Sequence, residues 1–481
     1  MKPLARDSDN TRTDTVTGPH WIMRLSAKIT AAACCGLLFV DCGWGADQRN
    51  EDWPQFLGPH RDGTSDETGL LDRWPTSGVS VAWEKKIGTG YSAPSVRGGR
   101  LVLHHRVGNE EIVECFDAGT GKPLWRYGYP SQFIDPYGYN NGPRCTPLLT
   151  AERCYTFGAE GKLVCLALET GKPIWQRDTA KDWEVPPAFF GVGSSPILEG
   201  DLLLVMVGGQ PNAGIVAFDA TTGKTAWENV GEKNWHGVTM IGWPGKPKVV
   251  WKRGDKQASY STPVAATING QRQAFCLMRQ GLVSLNPTNG NINWSLWFRS
   301  RAEDSVNAIN PVVVDDKVFI SAAYYKVGSI LLQVNPDNRS FNQVWRSTVL
   351  EIHWNTPIYH EGHLYAFSGR NEPDARFRCV ELNSGKLMWD RDESWPMHGG
   401  HATPQPNVYG RGSAILADGK LIVLGEGGLL GLFKINPEKA EEISRWQVPS
   451  LHYACWAAPV LSRKKLYLRS EDHLVCLNLS K

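Results

Sequence analysis

The residues of this 481-residue chain that could do chemistry are aromatic, imidazole, amide and guanidinium side chains just ahead of short apolar strands. Such side chains stack on a ligand and hydrogen-bond to it, but they do not form a pair of acid and base carboxyls. If those strands are the inner strands of a ring, the side chains meet near its central channel. The sequence therefore predicts ligand-binding residues at Tyr91, Tyr139, Asn140, His236, Tyr260, His353, Trp354, Arg411 and Trp456.

Other clusters of ionisable side chains are weaker candidates for a site. Three close histidine pairs occur, at His104 and His105, His360 and His363, and His398 and His401. The first two histidines are neighbours on a strand and point to opposite faces, the second pair flanks a hairpin turn, and the third needs further ligands to hold a metal. The chain has no nucleophile elbow, phosphate loop or dinucleotide-binding fingerprint. We therefore predict no metal site and no catalytic residue.

A repeat built around tryptophan must position the candidate residues. Its pattern is clearest in Val113-Glu-Cys-Phe-Asp-Ala-Gly-Thr-Gly-Lys-Pro-Leu-Trp125, and four more copies keep the same spacing. The alternating apolar residues predict a strand, the turn glycine takes a positive φ, and the Trp lies on the next strand. There it can fill the wedge between one small sheet and the next. The predicted structural residues are Trp83, Trp125, Trp175, Trp227, Trp294, Trp345, Trp389 and Trp446.

A second anchor, usually proline, opens each repeat. The anchors are Pro94, Pro147, Pro196, Pro263, Pro311, Pro357, Ala414 and Pro459. From an anchor to its Trp the separation is 28 to 34 residues, whereas the connections to the next anchor vary from 11 to 36 residues. The constant part fits four short antiparallel strands, so eight anchors predict an all-β, eight-bladed β-propeller of four-stranded blades.

The two ends of the chain predict how the ring closes. Trp83 lies before the first anchor, and no Trp strand follows Pro459. The N-terminal strand is therefore expected to complete the last blade, which hides an exposed strand edge. The long connections, residues 126–145, 176–194, 228–261 and 390–412, are expected on one side of the ring, which we call the loop face.

Composition and charge exclude several function classes. The chain has 51 Lys and Arg against 49 Asp and Glu, so no basic field is available to bind nucleic acid. The 49 glycines, 30 prolines and 20 tryptophans favour a β fold with many turns over a disordered or coiled-coil chain. No apolar stretch reaches the length of a transmembrane helix.

The N-terminal residues have the layout of a secretory signal. Arg24 and Lys28 precede an apolar run, residues 29–40, which small residues follow. The polar residues ahead of Met23 suggest that Met23 is the true start, and a lipid anchor at Cys42 stays open. We predict a periplasmic or secreted protein with three parts, namely a signal peptide at 1–46, a clasp across the outside at 47–80 and the propeller at 81–481.

The repeat ending Thr-Gly-Lys-x-x-Trp resembles the pyrroloquinoline quinone (PQQ) repeat of quinoprotein alcohol dehydrogenases and of the BamB family. The resemblance covers residues 81–481 and is closest to exported PQQ-binding-like β-propeller repeat proteins. Their motifs are matched by Asp52-Trp-Pro-Gln-Phe-Leu-Gly-Pro, Tyr260-Ser-Thr-Pro and Gly410-Arg-Gly-Ser-Ala-Ile-Leu-Ala-Asp-Gly-Lys. The resemblance specifies the fold, but one propeller fold hosts many unrelated activities.

The resemblance to the quinoprotein enzymes implies a cofactor pocket with a disulfide between adjacent cysteines, a calcium ion and a catalytic Asp. The only adjacent pair here, Cys34 and Cys35, lies in the signal segment, and the enzymes' Gly-Asn-Pro-x-Pro-Trp-Asn and Asp-x-Asp stretches have no match. No catalytic residue can therefore be carried over. Of the other cysteines, Cys115, Cys165 and Cys476 recur as packing residues, whereas pairing of Cys145, Cys154, Cys276 and Cys455 stays open.

Three functions remain open on the sequence alone. The leading hypothesis is a monomeric, non-catalytic binding or scaffold module without a cofactor, which holds a protein partner or an extended ligand on its loop face. The alternative is a divergent quinoprotein oxidoreductase that binds PQQ with calcium. A carbohydrate or polymer binder is the third, because exposed rings stack on sugars as well as on protein.

Overall fold

The fold is seen in a computed structural model, which describes residues 51–185, 190–209, 211–231, 258–300, 305–398, 401–405 and 407–481. Of residues 398, 401 and 402 only the backbone is described. The predicted signal segment with Met23, Cys34, Cys35 and Cys42 lies outside the described residues, as does His236.

Eight four-stranded antiparallel sheets follow one another along the chain as the blades of a propeller. The first four blades have these strands: Ser95–Arg97, Arg100–Val107, Glu110–Asp117 and Pro123–Pro130 in blade 1; Leu148–Leu149, Arg153–Phe157, Lys162–Ala167 and Pro173–Asp178 in blade 2; Ile197–Glu199, Leu202–Val205, Ile215–Asp219 and Thr225–Asn229 in blade 3; Val264–Ile268, Gln271–Leu277, Gly281–Leu285 and Ile292–Trp297 in blade 4. The first strand of each blade is the inner one.

The other four blades complete the ring. Their strands are Val312–Val314, Lys317–Ala322, Gly328–Val334 and Phe341–Ser347 in blade 5; Ile358–His360, His363–Ser368, Arg376–Glu381 and Leu387–Asp392 in blade 6; Ser413–Ala417, Lys420–Leu424, Leu429–Lys434 and Glu441–Gln447 in blade 7; Val460–Ser462, Lys465–Arg469 and His473–Asn478 in blade 8. Val81–Lys86 pairs with His473–Asn478 as the outer strand of blade 8. The predicted eight-bladed, all-β propeller is confirmed.

Ser, Thr and Asn side chains just before the inner strands accept hydrogen bonds from the backbone of the preceding blade, which explains why these residue types occur there. The backbone N–H of Thr146 donates to the Ser195 hydroxyl, and the N–H of Ser195 donates to the Thr262 hydroxyl. The N–H of Thr262 then donates to the Asn310 side chain, and the N–H of Asn310 to the Thr356 hydroxyl. This belt runs through blades 2 to 6 and satisfies buried donors that have no strand partner.

The tryptophans of the repeat join each blade to the next. All eight lie on the fourth, outer strand of their blade, counting Trp83 in blade 8. Six indole N–H groups donate to a carbonyl oxygen in the third turn of the following blade, at 2.7 to 3.1 Å. The rings of Trp83, Trp125, Trp175, Trp227 and Trp345 also cover the glycine of that turn. The apolar cores accordingly lie between neighbouring blades.

In blades 4 and 7 the outer-strand tryptophan contacts the next blade in a different way. The Trp294 ring packs against Phe341 of blade 5 with 4.8 Å between ring centroids. The Trp446 ring covers Gly78, which precedes the N-terminal strand of blade 8. The same position of the repeat therefore bridges all eight blade junctions, although the turn glycine is not present at each of them.

Residues 53–65 of the segment predicted as an outside clasp instead cross the end of the channel opposite the loop face, whereas Trp74 and Gly78 contact the outer strand of blade 7. Trp53 bridges to Val96 of blade 1, and the Pro54 carbonyl accepts from Leu149 of blade 2. Thr64–Ser65 then pairs in parallel with the inner strand of blade 7. Because these partners are on inner strands, the segment lies beneath the channel, where Phe56 and Leu57 form its floor. This differs from the sequence prediction, since the alternation of Trp and Pro does not reveal the direction of the chain.

Helical structure is minor in the described ranges. It consists of the α-helix Thr179–Asp182 and the 3₁₀ turns Tyr324–Lys326 and Glu372–Asp374, while Met397–His398 and His401–Ala402 form a small hairpin. None of the described helices has the length and apolar character needed to span a bilayer.

The glycine under a tryptophan provides a stability test. Gly223 has a φ of +70°, and an added Cβ would lie 2.6 Å from the Trp175 ring; Gly200 in the same blade has a φ of +60° with nothing within 4 Å of its Cβ position. Both Ala substitutions carry the left-handed backbone cost of roughly 1–2 kcal/mol. We expect Gly223→Ala to lose a further ~1–3 kcal/mol from overpacking in urea unfolding. Equal losses at both glycines would contradict the Trp contact.

Candidate functional site

The central channel holds a cavity of about 220 Å³ between the loop face and the floor. Its upper wall is a ring of eight residues, each three positions before the anchor of its blade. In blade order they are Tyr91, Arg144, Gly193, Tyr260, Ala308, Trp354, Arg411 and Trp456. Every blade thus contributes one residue to the cavity from the same position of the repeat, three residues before its anchor. We call this set the channel ring.

The structure brings most of the predicted ligand-binding residues to this cavity. Those that line it are Tyr91, Tyr139, Tyr260, His353, Trp354, Arg411 and Trp456. Asn140 is not in the wall, but its amide donates to Glu471, the carboxylate that also accepts the Tyr91 hydroxyl. His236 lies outside the described residues. That these residues bind a ligand stays a prediction.

Arg411 is the centre of a buried ion-pair network. Its Nε and Nη2 atoms donate to the two oxygens of Glu426, at 3.1 and 2.9 Å, and Nη2 also donates to Glu372. Nη1 donates to the Arg370 carbonyl at 2.6 Å and to His353 at 2.9 Å. The guanidinium has five N–H donors, and all of them are engaged. Arg411 therefore fixes the positions of its neighbours and keeps no N–H in reserve for a ligand.

The protonation state of His353 follows from the same contact. A guanidinium can only donate, so Nδ1 of His353 must accept from Arg411 and is unprotonated. The proton is then on Nε2, which lies 3.2 Å from the Tyr324 hydroxyl and donates to it. Burial and the nearby Arg411 charge lower the pKa of His353 to about 3. His353 is thus a neutral donor at neutral pH.

The aromatic walls are held by their polar atoms. The Trp456 indole N–H donates to Glu426 at 2.6 Å, and the Tyr91 hydroxyl donates to Glu471 at 2.6 Å. The two rings lie 4.8 Å apart, and Tyr139 meets Trp456 edge-on at 5.4 Å. Burial raises the pKa of Tyr91 far above its usual value. The polar atoms of Trp456 and Tyr91 are thus paired inside the protein, and the three side chains line the channel with their rings.

Arg144 is a wall residue that the sequence prediction missed. Its guanidinium is paired with Asp135 at 2.6 Å and lies over the Tyr91 ring, 5.5 Å from the centroid. It stands three residues before its anchor, Pro147, as Tyr260 does before Pro263. That register would have identified it, whereas a choice by aromatic character did not.

The described residues do not fit a quinone–calcium site. Calcium takes six to eight oxygen ligands, usually with several carboxylates. No Asp or Glu side chain is among the described residues that line the cavity. The nearby carboxylates of Glu426 and Glu471 are already engaged in hydrogen bonds with Arg411, Trp456 and Tyr91.

The cysteines do not supply the disulfide of such a site either. Within the described residues, all eight cysteines are buried and no disulfide joins any two of them. The possible pairing of Cys145, Cys154, Cys276 and Cys455 is therefore not found. Burial raises the pKa of the Cys115 and Cys165 thiols to about 12, as expected for packing residues.

In the first histidine pair each histidine contacts a different glutamate, and in the other two pairs the histidines lie opposite each other across a hairpin turn. His104 contacts Glu111 at 3.2 Å, while its neighbour His105 contacts Glu114 at 3.3 Å. His360 and His363 face each other in the first hairpin of blade 6. The backbones of His398 and His401 pair in the small hairpin of the blade 6 to blade 7 connection.

Comparisons with known proteins find propeller proteins of two kinds. A family model described as outer membrane protein assembly factor BamB matches residues 108–391. The dehydrogenase subunit of a quinone alcohol dehydrogenase from Gluconacetobacter polyoxogenes is 25% identical over 240 residues, 42% of this chain and 30% of that protein. The quinohemoprotein alcohol dehydrogenase ADH IIB of Pseudomonas putida is 30% identical over 125 residues, 24% of this chain and 17% of that protein. The matches thus span less than a third of either relative.

Solved structures share the fold at low sequence identity. BamB from Moraxella catarrhalis has a TM-score of 0.52 at 14% identity, covering 83% of this chain and 97% of that one. The quinohemoprotein alcohol dehydrogenase from Comamonas testosteroni has a TM-score of 0.60 at 13% identity, covering 90% and 82%. Identities this low concern the fold alone.

The lowered pKa of His353 predicts a pH dependence of stability. The unfolded chain takes up a proton on His353 as the pH falls below about 6.5, whereas the folded protein resists it down to a pKa of about 3. Stability is therefore present above pH 6.5 and lost as the pH falls. Between pH 7 and pH 5, we expect the wild type to lose ~2 kcal/mol more unfolding free energy than His353→Asn. Equal losses of unfolding free energy in the wild type and in His353→Asn, measured by urea unfolding, would contradict the lowered pKa of His353.

Proposed function

Because the chain belongs to the family described as outer membrane protein assembly factor BamB, we propose that it is a non-catalytic binding module that receives a protein segment at the mouth of its channel. The family match confirms the resemblance inferred from the repeat. The function of this chain is what we propose. The module is exported, acts as a monomer in the periplasm or outside the cell, and needs no cofactor. The signal-like N-terminal sequence supports the export part.

The channel ring is the observation that carries this proposal. Four of its eight members are Tyr or Trp, two are Arg, and the two smallest, Gly193 and Ala308, flank Tyr260. An added Cβ on Gly193 would lie 2.6 Å from the Tyr260 ring, so the small residue makes room for that ring. Aromatic and arginine side chains in a concave site are typical anchors for apolar and polar groups of a partner.

The ring faces are held in place before any ligand arrives. Glu426 and Glu471 fix the orientations of Trp456 and Tyr91 through short hydrogen bonds. A side chain ordered in advance loses little conformational entropy on binding. Stacking on each ring contributes about 0.5–1.5 kcal/mol beyond the buried area. Several such contacts give useful affinity without a covalent step.

Exposed residues around the mouth of the channel favour a protein as the partner. Exposed apolar side chains on the loop-face connections include Ile134, Tyr137, Tyr139, Met397 and Tyr453. Exposed apolar patches of this kind commonly mark interaction sites. The matching family's description as an assembly factor favours the same reading. A carbohydrate polymer is the other occupant that such rings accept.

Photo-crosslinking at the rim tests the proposal. We would place p-benzoylphenylalanine at Tyr139 on the loop face, and at Ile174 on the outer strand of blade 2 as control, because both are 46% exposed. In the native host, the Tyr139 position is expected to give a discrete crosslinked protein and the Ile174 position none. Crosslinking of the same species from both positions would refute a loop-face site. Adduct formation with a polymer instead of a protein would identify the occupant as carbohydrate.

A PQQ-dependent oxidoreductase is the second candidate. It is favoured by the two alcohol dehydrogenase relatives and by Arg144, whose guanidinium lies over the Tyr91 ring, an arrangement that suits a planar anion. Against it stands the described part of the wall, which has no Asp or Glu and so offers calcium few ligands and the chemistry no carboxylate base.

Dye-linked alcohol oxidation distinguishes the two candidates. After incubation with PQQ and calcium, we expect the protein to reduce dye no faster than PQQ and calcium alone, because no carboxylate base is among the described residues that line the cavity. Repeated turnover that depends on the protein would instead establish the enzyme and remove the non-catalytic proposal.

A further inference from the structure

A cluster outside the channel brings together two imidazoles and one carboxylate. Asp472 follows the second strand of blade 8, His473 begins the third, and His452 lies in the connection from blade 7 to blade 8. The Asp472 Oδ1 atom is 3.0 Å from Nε2 of His452 and 2.9 Å from Nδ1 of His473. The three donor atoms lie within 4.8 Å of one another.

We propose that His452, Asp472 and His473 form a site for a divalent transition-metal ion such as zinc. Imidazole nitrogen and carboxylate oxygen bind zinc at ~2.0–2.2 Å, which puts neighbouring ligand atoms of a tetrahedral site roughly 3.4 Å apart. The two separations to Asp472 are a few tenths of an ångström shorter and the two histidine nitrogens lie within 4.8 Å of each other, so small side-chain rotations admit an ion. The mixed nitrogen and oxygen donors suit zinc, copper or nickel, not calcium or magnesium.

The backbone around the cluster is fixed while the side chains are accessible. The Asp472 carbonyl accepts from the N–H of Ile87, and the Ser470 N–H donates to the His473 carbonyl. The His452 side chain is 54% exposed, so an ion can reach the site directly from solvent. Three protein ligands leave at least one coordination position for water or for a donor atom of a partner.

The site shares a turn with the channel mouth. Glu471, the residue before Asp472, accepts hydrogen bonds from Tyr91 and Asn140. Asp472 and His473 are therefore next to the turn that also orients a channel-ring residue. The metal site does not depend on the proposed binding function and can be tested alone.

A second group, Glu51, His60 and Asp66, serves as a comparison. It has one imidazole only, 3.8 Å from each carboxylate. Glu51 already accepts from the Ser65 hydroxyl and the Asp66 N–H. His60 is therefore a suitable control histidine, since it stands among carboxylates without a second nitrogen donor.

Zinc titration calorimetry on the untagged full-length protein tests the site. We expect a bound zinc ion that His452→Ala weakens ~100-fold or more, because even residues that only support ligands change metal affinity about 10- to 100-fold. His60→Ala should leave this ion in place. Equal zinc binding by wild type and His452→Ala, or no binding by wild type, would overturn the proposal.

Cobalt absorption and a near-isosteric variant separate metal binding from a structural role. Co²⁺ in the site is expected to give visible absorption bands that are absent from His452→Ala and strongly reduced in Asp472→Asn. Without metal, Asp472→Asn should keep its fold by circular dichroism, since the amide oxygen still accepts from a histidine. Unchanged cobalt bands in both variants would show that the three side chains are only a hydrogen-bonded cluster.

Discussion

The docking of each outer-strand tryptophan on the next blade is the contact on which the rest of the structure depends. A four-stranded sheet this small cannot bury its own faces, so its stability comes from neighbours. The indole ring covers the turn, and its N–H satisfies a carbonyl there, as Trp175 does with Ala220. Repeated around the ring, this contact sets the angle between blades and hence the width of the channel.

The channel follows from that regular arrangement. Equal blade geometry brings the residue three positions before every anchor to the cavity, which creates the channel ring. Phe56 and Leu57 line the opposite end, and in the described part of the chain the cavity opens toward the loop face through the ring and its rim. Arg411 is ion-paired with both Glu426 and Glu372, so these charged side chains are engaged with one another. The site is therefore built to present rings in a rigid frame, with little charge left for acid–base chemistry.

The sequence predicted the fold because the repeat is local. Hairpin turns, Trp spacing and proline anchors each involve residues close in sequence, and eight imperfect copies reinforce one another. Most wall residues could be found for the same reason, although Arg144 was missed by choosing residue types before register. The floor formed by Phe56 depends on contacts between distant parts of the chain, and the contact of His452 with Asp472 depends on how the connection ahead of blade 8 lies against the second turn of that blade. No local pattern encodes such contacts.

The channel is proposed to be a binding site without quinone–calcium chemistry. The decisive measurement is the binding of PQQ in the presence and absence of calcium. Tryptophan fluorescence is a suitable signal, since Trp354 and Trp456 line the cavity. We expect that calcium changes neither the quenching of tryptophan fluorescence by PQQ nor the thermal midpoint of the protein. Saturable quenching that requires calcium, together with a raised midpoint, would contradict this expectation.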